Sequence, residues 1–451
     1  MSVRSKKEIT NWGHYPVAQA NEFVFDSESY LRQVVNDPTY IPWIARGAGR
    51  CYGDASLGKN IISTLQYANI LSFDTANGEI NCEAGVTLEE LLEVIVPEGF
   101  FLPVTPGTKF ITVGGAVASD IHGKNHHKEG SFSAHIQSMD IYAADGKTYT
   151  VSRKEYPDLF EATCGGMGLT GIILRVRFKL KKIESAYIRQ ITARARNLDE
   201  IFDLFEEHRS CTYSMSWIDC FQKGKHLGRS IMYAGEHATL DQLDEQKRKA
   251  PLHLPRKLKL TVPFNLPSIT LNPLTIRAFN FLYYHKSPGK RHTGLVDYDT
   301  FFYPLDSILH WNRMYGKAGF VQYQFVLPLD VSKKGLTEIL TRINKRNMGS
   351  FLAVLKLFGK QDDLISFPME GYTLALDFAV RKGLFEFLDE LDKVVMDLGG
   401  RIYLSKDARM KSDFFWKSYP KVKEFAAIVR KYNPQSTFAS TQSDRLQLTQ
   451  S

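Results

Sequence analysis

The chain has 451 residues, of which 43% are hydrophobic and 24% charged, so it has the composition of a globular protein and the length of two domains. Its net charge of +8 is spread along the chain, which disfavours a nucleic-acid-binding protein and is compatible with an anionic substrate or lipid surface. Five cysteines without C-x-x-C spacing argue against a disulfide framework or a zinc site and for a reducing compartment, and no apolar run approaches the roughly 18 residues of a transmembrane helix.

The N-terminal part of the chain combines short strands with one capped helix. Thr87 and Glu90 have the spacing of a capping box, which predicts that a helix begins there. Asp145-Gly146 is typical of the turn of a hairpin. In chain order, the predictions are an entry segment (1–40), strands (40–45, 60–65 and 80–85), the capped helix and the hairpin (139–151).

Three glycine-rich stretches lie within this N-terminal part, at residues 45–55, 106–127 and 164–173. Glycines at this density let the backbone approach a bulky partner closely, and successive exposed N–H groups form concavities for phosphate. The spacing is neither that of a P-loop nor that of G-x-G-x-x-G. The stretches indicate a large, phosphate-bearing cofactor, with tight turns of an ordinary β-rich domain as the alternative.

From about residue 185 the glycine loops give way to longer alternating segments. Strands of one antiparallel sheet are predicted at 213–219, 321–327, 351–358 and 372–378. A helix is predicted at 383–398, where Gly399 and Gly400 stop it. A strand with a polar end (401–409) and a helix (422–432) follow. The chain therefore reads as two α+β domains.

Residues 246–292 stand apart as a basic, proline-broken insertion. Its cations occur without an acid among them between Lys247 and Lys259: Lys247, Arg248, Lys249, Arg256, Lys257 and Lys259. Such a segment is either a mobile cover or a surface that binds anionic lipid, and a solvated loop is the equal alternative.

Two of these loops, Arg46–Asp54 and Thr112–Gly115, resemble the FAD loops of the vanillyl-alcohol-oxidase-like flavoproteins. Longer strings resemble more narrowly the flavoprotein subunits of decaprenylphosphoryl-β-D-ribose 2′-epimerase. These strings are Asp120–His127, Gly168–Ile173, Trp311–Arg313, Gln322–Val326, Lys356–Gly359 and Lys406–Arg409. The resemblance extends from about residue 40 to Leu446.

The resemblance implies a two-domain FAD-linked oxidase fold. Residues 1–184 and 401–451 would form the FAD-binding domain, and residues 185–400 an inserted antiparallel-sheet domain for the substrate. The implied reaction is oxidation of the ribose 2′-hydroxyl of a polyprenyl-phosphoryl ribose to the 2′-keto sugar. A separate NAD(P)H-dependent reductase partner would then complete epimerisation to the arabinose form, a precursor for cell-wall arabinan.

The resemblance also implies the residues that hold FAD. Since residues 45–55 contain no histidine, non-covalent FAD is expected. The implied contacts are Ala45, Arg46, Gly47, Ala48, Gly49, Arg50, Cys51, Tyr52, Gly53, Asp54, Ala55, Gly107, Thr112, Val113, Gly114, Gly115, Ser119, Asp120, Ile121, His122, Ile173 and Tyr403.

Five residues are candidates for catalysis or substrate binding: Lys406, His122, Gln324, Gln322 and Lys356. Lys406 would stabilise negative charge at the flavin or on the substrate hydroxyl, and a solvated lysine is its alternative. Gln322 and Gln324 face the same side of a strand, where paired amides suit sugar hydroxyls. Lys356 lies in an apolar strand, so either a phosphate or an internal carboxylate is expected beside it. His122 beside the flavin has a structural histidine as its alternative.

Two positions depart from the family pattern. Ala375 stands where the mycobacterial members carry an active-site cysteine, and Thr373 replaces an asparagine. Inhibitors that react covalently with that thiol should therefore form no adduct with this protein. The departures keep an aldonolactone or sugar-alcohol oxidase as the alternative enzyme, and a flavin-free protein at a membrane surface as the alternative class.

The N-terminal sequence predicts where the protein works. It has charges but no apolar core of a secretory signal. A cytoplasmic protein, at most peripheral at the inner membrane, is therefore expected, and a periplasmic one only if it is co-exported with a partner.

Overall fold

The computed structural model describes residues 4–255, 257–267, 270–287 and 290–449. They form an α+β protein, as predicted. The elements of the N-terminal part are β1 (Arg4–Thr10), β2 (Val17–Val24), α1 (Glu28–Val35), β3 (Trp43–Arg46), β4 (Asn60–Ser63), β5 (Ile70–Asp74), β6 (Glu79–Glu83), α2 (Leu88–Ile95), β7 (Phe100–Phe101), α3 (Val113–Ala118), α4 (His126–Glu129), β8 (Ile136–Tyr142), β9 (Thr148–Val151), α5 (Pro157–Thr163), β10 (Ile172–Lys179) and β11 (Lys181–Lys182).

The described N-terminal elements build two larger sheets, with strand orders β1-β2-β4-β3 and β5-β6-β10-β8-β9, and β7 pairs with β11. The capping box is confirmed: Thr87 accepts a hydrogen bond from the Glu90 backbone N–H, and the Glu90 carboxylate accepts one from the Thr87 backbone N–H. The predicted hairpin is confirmed as β8–β9. The expectation of an entry segment over residues 1–40 is wrong, because β1, β2 and α1 belong to the first sheet and its cover. The weak polar–apolar alternation of Val17–Val24 concealed this strand.

The second half of the chain continues with longer strands and helices. Its elements are β12 (Tyr187–Ala195), α6 (Leu198–Glu207), β13 (Tyr213–Ile218), β14 (Ser230–His237), α7 (Glu245–Arg248), β15 (Leu260–Thr261), α8 (Pro273–Lys286), β16 (Arg291–Asp297), α9 (Tyr298–Phe302), β17 (Ile308–Leu309), β18 (Phe320–Pro328), α10 (Ser332–Arg346), β19 (Ala353–Phe358), β20 (Gly371–Ala379), α11 (Leu384–Asp397), β21 (Arg401–Ile402), α12 (Ser412–Ser418), α13 (Val422–Tyr432) and α14 (Thr441–Arg445).

Most of these strands form one antiparallel sheet, which confirms the prediction, while β15 and β17 pair separately as two parallel strands. Within the described residues the order of the large sheet is β16-β12-β14-β13-β19-β20-β18-β21. One face carries apolar side chains that pack against α6, α10 and α11. The opposite face carries polar side chains toward the N-terminal part. The predicted strand at 401–409 is limited to β21, because the chain turns at Tyr403, whose carbonyl accepts the backbone N–H of Lys406.

The C-terminal segment returns to the N-terminal part of the molecule. Trp43 donates its backbone N–H to Thr437 O at 2.8 Å, and Ala439 donates to Trp43 O at 2.9 Å. Arg445 Nη2 lies 2.8 Å from a carboxylate oxygen of Asp54 and 2.8 Å from one of Asp407. The segment therefore ties the first glycine loop to the turn that carries Lys406.

The basic insertion contains a helix that the sequence analysis missed. Asn272 caps α8 and Pro273 occupies its first turn. Arg256, one of the predicted cations, lies outside the described residues. In the parts of the chain described above, none of the helices combines the length and hydrophobicity that crossing a bilayer requires.

Candidate functional site

A cavity of about 670 Å³ separates the glycine loops from the polar face of the large sheet. Its walls come from the three glycine-rich stretches, from β18, β19 and β20, from the turn after β21 and from α8. The two halves of the chain therefore enclose one site between them, and its volume suits a large ligand.

The glycines of the first loop let neighbouring segments approach more closely than a side chain at these positions would permit. A Cβ on Gly47 would lie 2.1 Å from Thr112 Oγ1, and a Cβ on Gly53 would lie 1.6 Å from Asp407 O. Gly49 has φ +61°, a left-handed conformation. Gly107, in contrast, faces open space, with no described atom within 4 Å of its ideal Cβ. The loops thus present a concave wall of backbone donors, which fits a phosphate-bearing cofactor.

Several charged side chains of the predicted cofactor loops serve the protein itself. Arg46 donates to Thr10 O at 2.9 Å and to Ser56 Oγ at 3.2 Å. Asp54 pairs with Arg445, as described above. Asp120 Oδ1 accepts the Ser133 backbone N–H at 2.9 Å.

The predicted cofactor residues divide into two groups. Those that line the cavity are Ala45, Arg46, Gly47, Ala48, Gly49, Arg50, Cys51, Tyr52, Ala55, Gly107, Thr112, Gly114, Gly115, Ser119, Ile121, His122, Ile173 and Tyr403. Gly53, Asp54, Val113 and Asp120 lie behind that wall. Tyr403 donates its hydroxyl to Ser119 O at 2.9 Å and so joins the turn after β21 to the second loop.

His122 is buried at the meeting point of the two halves of the chain. Gln324 Nε2 donates to His122 Nε2 at 3.0 Å, and the ring packs 4.7 Å from Phe358. Burial, together with the charges of Lys356, His126 and Lys406, holds the pKa of His122 well below its ordinary value. The ring is therefore neutral near pH 7 and acts through hydrogen bonds.

The polar face of the sheet places its predicted amides in register with β20. Gln322 pairs with Asp377 and Gln324 with Ala375 across the two strands. Gln322 Nε2 donates to Asp377 Oδ1 at 2.6 Å. Burial raises the pKa of Asp377 to about 7, an effect that the hydrogen bond from Gln322 and the charge of Lys406 oppose. Gln324 is free to reach the cavity with its carbonyl oxygen, since its amide nitrogen contacts His122 and Thr373.

Three lysines line the cavity. Lys406 Nζ lies 3.9 Å from the centre of the Tyr52 ring, and Lys356 extends from β19. Within the described ranges, neither ammonium makes an ion pair or a hydrogen bond, and burial lowers the pKa of each to about 8. Lys124 donates to Phe301 O, and burial lowers its pKa to about 7. Cations held this way favour an anionic ligand.

Sequence reasoning missed part of this site. Lys124 lies in the Asp120–His127 segment, two residues after His122, but only its burial and its position in the cavity wall show that it belongs to the site. Asp377 carried no local signal, since a single acid in a strand is common. Phe279 and Tyr283 line the cavity from α8, whose Asn-Pro start was the available signal.

Comparisons with known proteins agree with this geometry. Residues 25–152 match the family model described as an FAD binding domain. Over 411 residues, 90% of this chain and 89% of the relative, the chain is 39% identical to decaprenylphosphoryl-β-D-ribose oxidase of Mycolicibacterium smegmatis. It is 32% identical over 374 residues, 80% of this chain, to the whole length of an uncharacterised protein of Streptomyces coelicolor. L-gulonolactone oxidase 3 of Arabidopsis thaliana is 25% identical over 155 residues, 33% of this chain and 26% of that protein.

Proposed function

Because the chain belongs to the FAD-binding family of decaprenylphosphoryl-β-D-ribose oxidase, we propose that it oxidises the ribose 2′-hydroxyl of a polyprenyl-phosphoryl-β-D-ribose to the 2′-ketone. It is an FAD-dependent oxidoreductase, which excludes the flavin-free protein considered from the sequence. The observation that carries the substrate proposal is the pair Lys356 and Lys406, two unpaired cations of the described cavity beside the amides of Gln322 and Gln324. This combination suits a phosphorylated sugar.

The cavity residues named above are proposed to hold FAD without a covalent bond. Residues 1–184 and 401–451 form the proposed FAD-binding domain, and residues 185–400 the substrate domain. The bonds of Trp43 with Thr437 and Ala439 support this grouping. Next to the proposed junction, Arg401 pairs with Val326 at the edge of the large sheet. When bound, FAD supplies the acceptor for the hydride of the sugar C2.

The side chains on the polar face have distinct proposed roles. Lys406 would stabilise the negative charge that the sugar oxygen gains as its proton passes to solvent, and the charge that FAD would gain on accepting the hydride. Gln322 and Gln324 orient the sugar hydroxyls, and Gln324 is itself held by His122. Lys356 binds the phosphate from β19, two strands across the sheet from the β18 amides. Asp377 is a positioning residue, because it acts through Gln322 and through the charge of Lys406.

Two further proposals concern partners. The 2′-ketone requires a reductase with a nicotinamide cofactor to complete epimerisation. The insertion also exposes apolar side chains: Leu258 and Leu274 are 98% and 78% exposed. Lys257 and Lys259 flank Leu258 and pair with Asp297 and Glu89 at the edge of this surface. This surface supports peripheral contact with an anionic membrane.

The function is tested by anaerobic titration of the purified protein with a short polyprenyl-phosphoryl ribose while the visible flavin absorbance is followed. Bleaching of the band is expected. If the flavin stays oxidised with this compound but is bleached by a free sugar or an aldonolactone, the assignment as an FAD-dependent oxidase would stand and the proposed substrate would be wrong. Re-oxidation of the bleached protein with a quinone or with O₂ then identifies the electron acceptor.

A further inference from the structure

The cavity continues past the sugar-facing residues into an aromatic region. Trp217 on β13 packs its ring 4.8 Å from Tyr283 of α8. Phe279, one helical turn earlier, stacks 5.7 Å from Tyr283 and lies 5.5 Å from Phe351. All four rings line the cavity, and we call them the aromatic row.

The aromatic row offers apolar surface to a ligand. Trp217 Nε1 already donates to Phe351 O at 2.9 Å, and the hydroxyl of Tyr283 bonds that of Tyr233 at 3.1 Å. With the polar atoms of Trp217 and Tyr283 engaged by the protein, the ring faces remain for contact.

The position of α8 is fixed by buried contacts. Asn280 Nδ2 donates to Asp219 Oδ1 at 2.9 Å, and the Arg229 guanidinium lies 4.4 Å from the centre of the Tyr284 ring. Both Asn280 and Tyr284 are buried. The helix therefore presents Phe279 and Tyr283 to the cavity from a defined orientation.

The register of the sheet relates the aromatic row to the sugar site. Gln324, Ala375, Val354 and Trp217 are successive cross-strand partners on β18, β20, β19 and β13. Adjacent strands are about 4.8 Å apart, so Trp217 lies roughly 14 Å from Gln324 along the sheet. Lys356 lies on β19, between them. Sugar, phosphate and a following apolar group would thus meet amide, cation and aromatic surface in that order.

We propose that the aromatic row binds the isoprene units nearest the phosphate of the polyprenyl substrate. The proposal rests on the proposed function and adds a subsite for the lipid to it. An isoprenoid fits because it is apolar, unsaturated and attached to the phosphate that Lys356 faces. The row is continuous with the cavity rather than with the outer surface of α8, where Leu282 is exposed.

The test uses 2′-deoxyribosyl phosphates, which bind without being oxidised, carrying no isoprene, one isoprene or two isoprenes. Calorimetric titration of the FAD-loaded protein gives Kd for each. In the wild type, Kd is expected to fall by about tenfold or more for each added isoprene, as burial of that much apolar surface provides. In Phe279→Ala and Tyr283→Ala, the Kd of the isoprene-bearing ligands is expected to rise about tenfold, while the Kd of the isoprene-free ligand stays unchanged.

Two variants serve as controls. Leu282→Ala removes an exposed apolar side chain from the same helix, and Tyr283→Phe keeps the ring but loses the bond to Tyr233. Both are expected to retain the wild-type gain. An unchanged gain in Phe279→Ala and Tyr283→Ala, or an equal loss in Leu282→Ala, would overturn the lipid subsite. Failure of the wild type to bind even the isoprene-free ligand would instead count against the proposed function.

Discussion

Gln322 Nε2 donates to Asp377 Oδ1 at 2.6 Å, across facing positions of β18 and β20. The carboxylate is buried, and Tyr315 donates to its other oxygen at 3.4 Å. The bond holds the Gln322 amide nitrogen toward the sheet, so the carbonyl oxygen is available to the cavity. The charge of Asp377 also favours the protonated form of Lys406.

We predict that Lys406→Met lowers the rate of flavin reduction by at least about 100-fold, the usual cost of removing one stabilising group from a reaction centre. Because burial lowers the pKa of Lys406 to about 8, the wild-type rate should fall as the pH rises through that value, when the cation is lost. The variant should lack this alkaline fall. Stopped-flow absorbance measures both, with Lys154→Met, which removes an exposed lysine, as the control. A wild-type rate in Lys406→Met would contradict the assigned role.

We predict that Asp377→Asn moves the alkaline fall to lower pH. The carboxylate raises the pKa of Lys406 against the larger effect of burial, so its loss lets that pKa drop further. The substitution keeps the size of the side chain, and the FAD content should therefore stay unchanged. A pH–rate profile superimposable on the wild type would show that Asp377 acts only on packing.

We predict opposite outcomes for two glycines of the cofactor loops. Gly53→Ala would place a Cβ 1.6 Å from Asp407 O, a backbone atom that cannot move aside, and should cost about 3 kcal/mol of unfolding free energy along with bound FAD. Gly107→Ala places its Cβ in the open cavity and should change the unfolding free energy of the flavin-free protein by less than about 0.5 kcal/mol. Urea unfolding and the flavin-to-protein absorbance ratio measure these effects. Equal stability of the two variants would refute the close packing of the two loops.

We predict that Arg445→Gln destabilises the protein by about 3 kcal/mol, because Asp54 and Asp407, with side chains 2% and 3% exposed, lose their shared cation. Burial raises the pKa of Asp407, but Arg445 and backbone hydrogen bonds outweigh it and hold the pKa below its ordinary value. The stabilisation is therefore present at neutral pH and lost as the pH falls through that lowered value. Arg430→Gln, on the exposed side of α13, is the control. Equal unfolding midpoints for the two variants would refute the role of the ion pairs.

We predict that a nitroaromatic inhibitor that captures the family's active-site thiol forms no adduct at position 375 of this chain, and that Ala375→Cys restores it. Ala375 lines the cavity opposite Gln324, so a thiol there would face the same space. Intact-mass measurement after turnover, followed by peptide mapping, locates any adduct. Cys51 also lines the cavity, and Cys51→Ser removes that competing site.

Much of this architecture follows from short-range patterns. The capping box of Thr87 and Glu90 and the shared face of Gln322 and Gln324 depend on residues within four positions of each other, so sequence alone predicts them. The ion pair of Asp54 with Arg445 joins residues 391 positions apart, and no local pattern carries it.

Helix α8 escaped prediction for a different reason. Its apolar residues occur all around the helix, since Ile276 is buried while Leu274 and Phe281 are exposed. The sequence therefore shows no amphipathic stripe, and the neighbouring prolines favoured a loop. The aromatic row became visible only once Phe279 and Tyr283 were placed against the sheet.

The return of the C-terminal segment to the N-terminal part determines the order in which the cofactor site forms during folding. The chain is synthesised from its N-terminus, so the glycine loops exist long before Lys406 and Arg445 are added. Until then, Asp54 lacks its cation, and Trp43 lacks the backbone partners at Thr437 and Ala439. The cofactor wall is thus finished by nearly the last segment described, and loading of flavin belongs to the end of folding rather than to the emergence of the N-terminal loops.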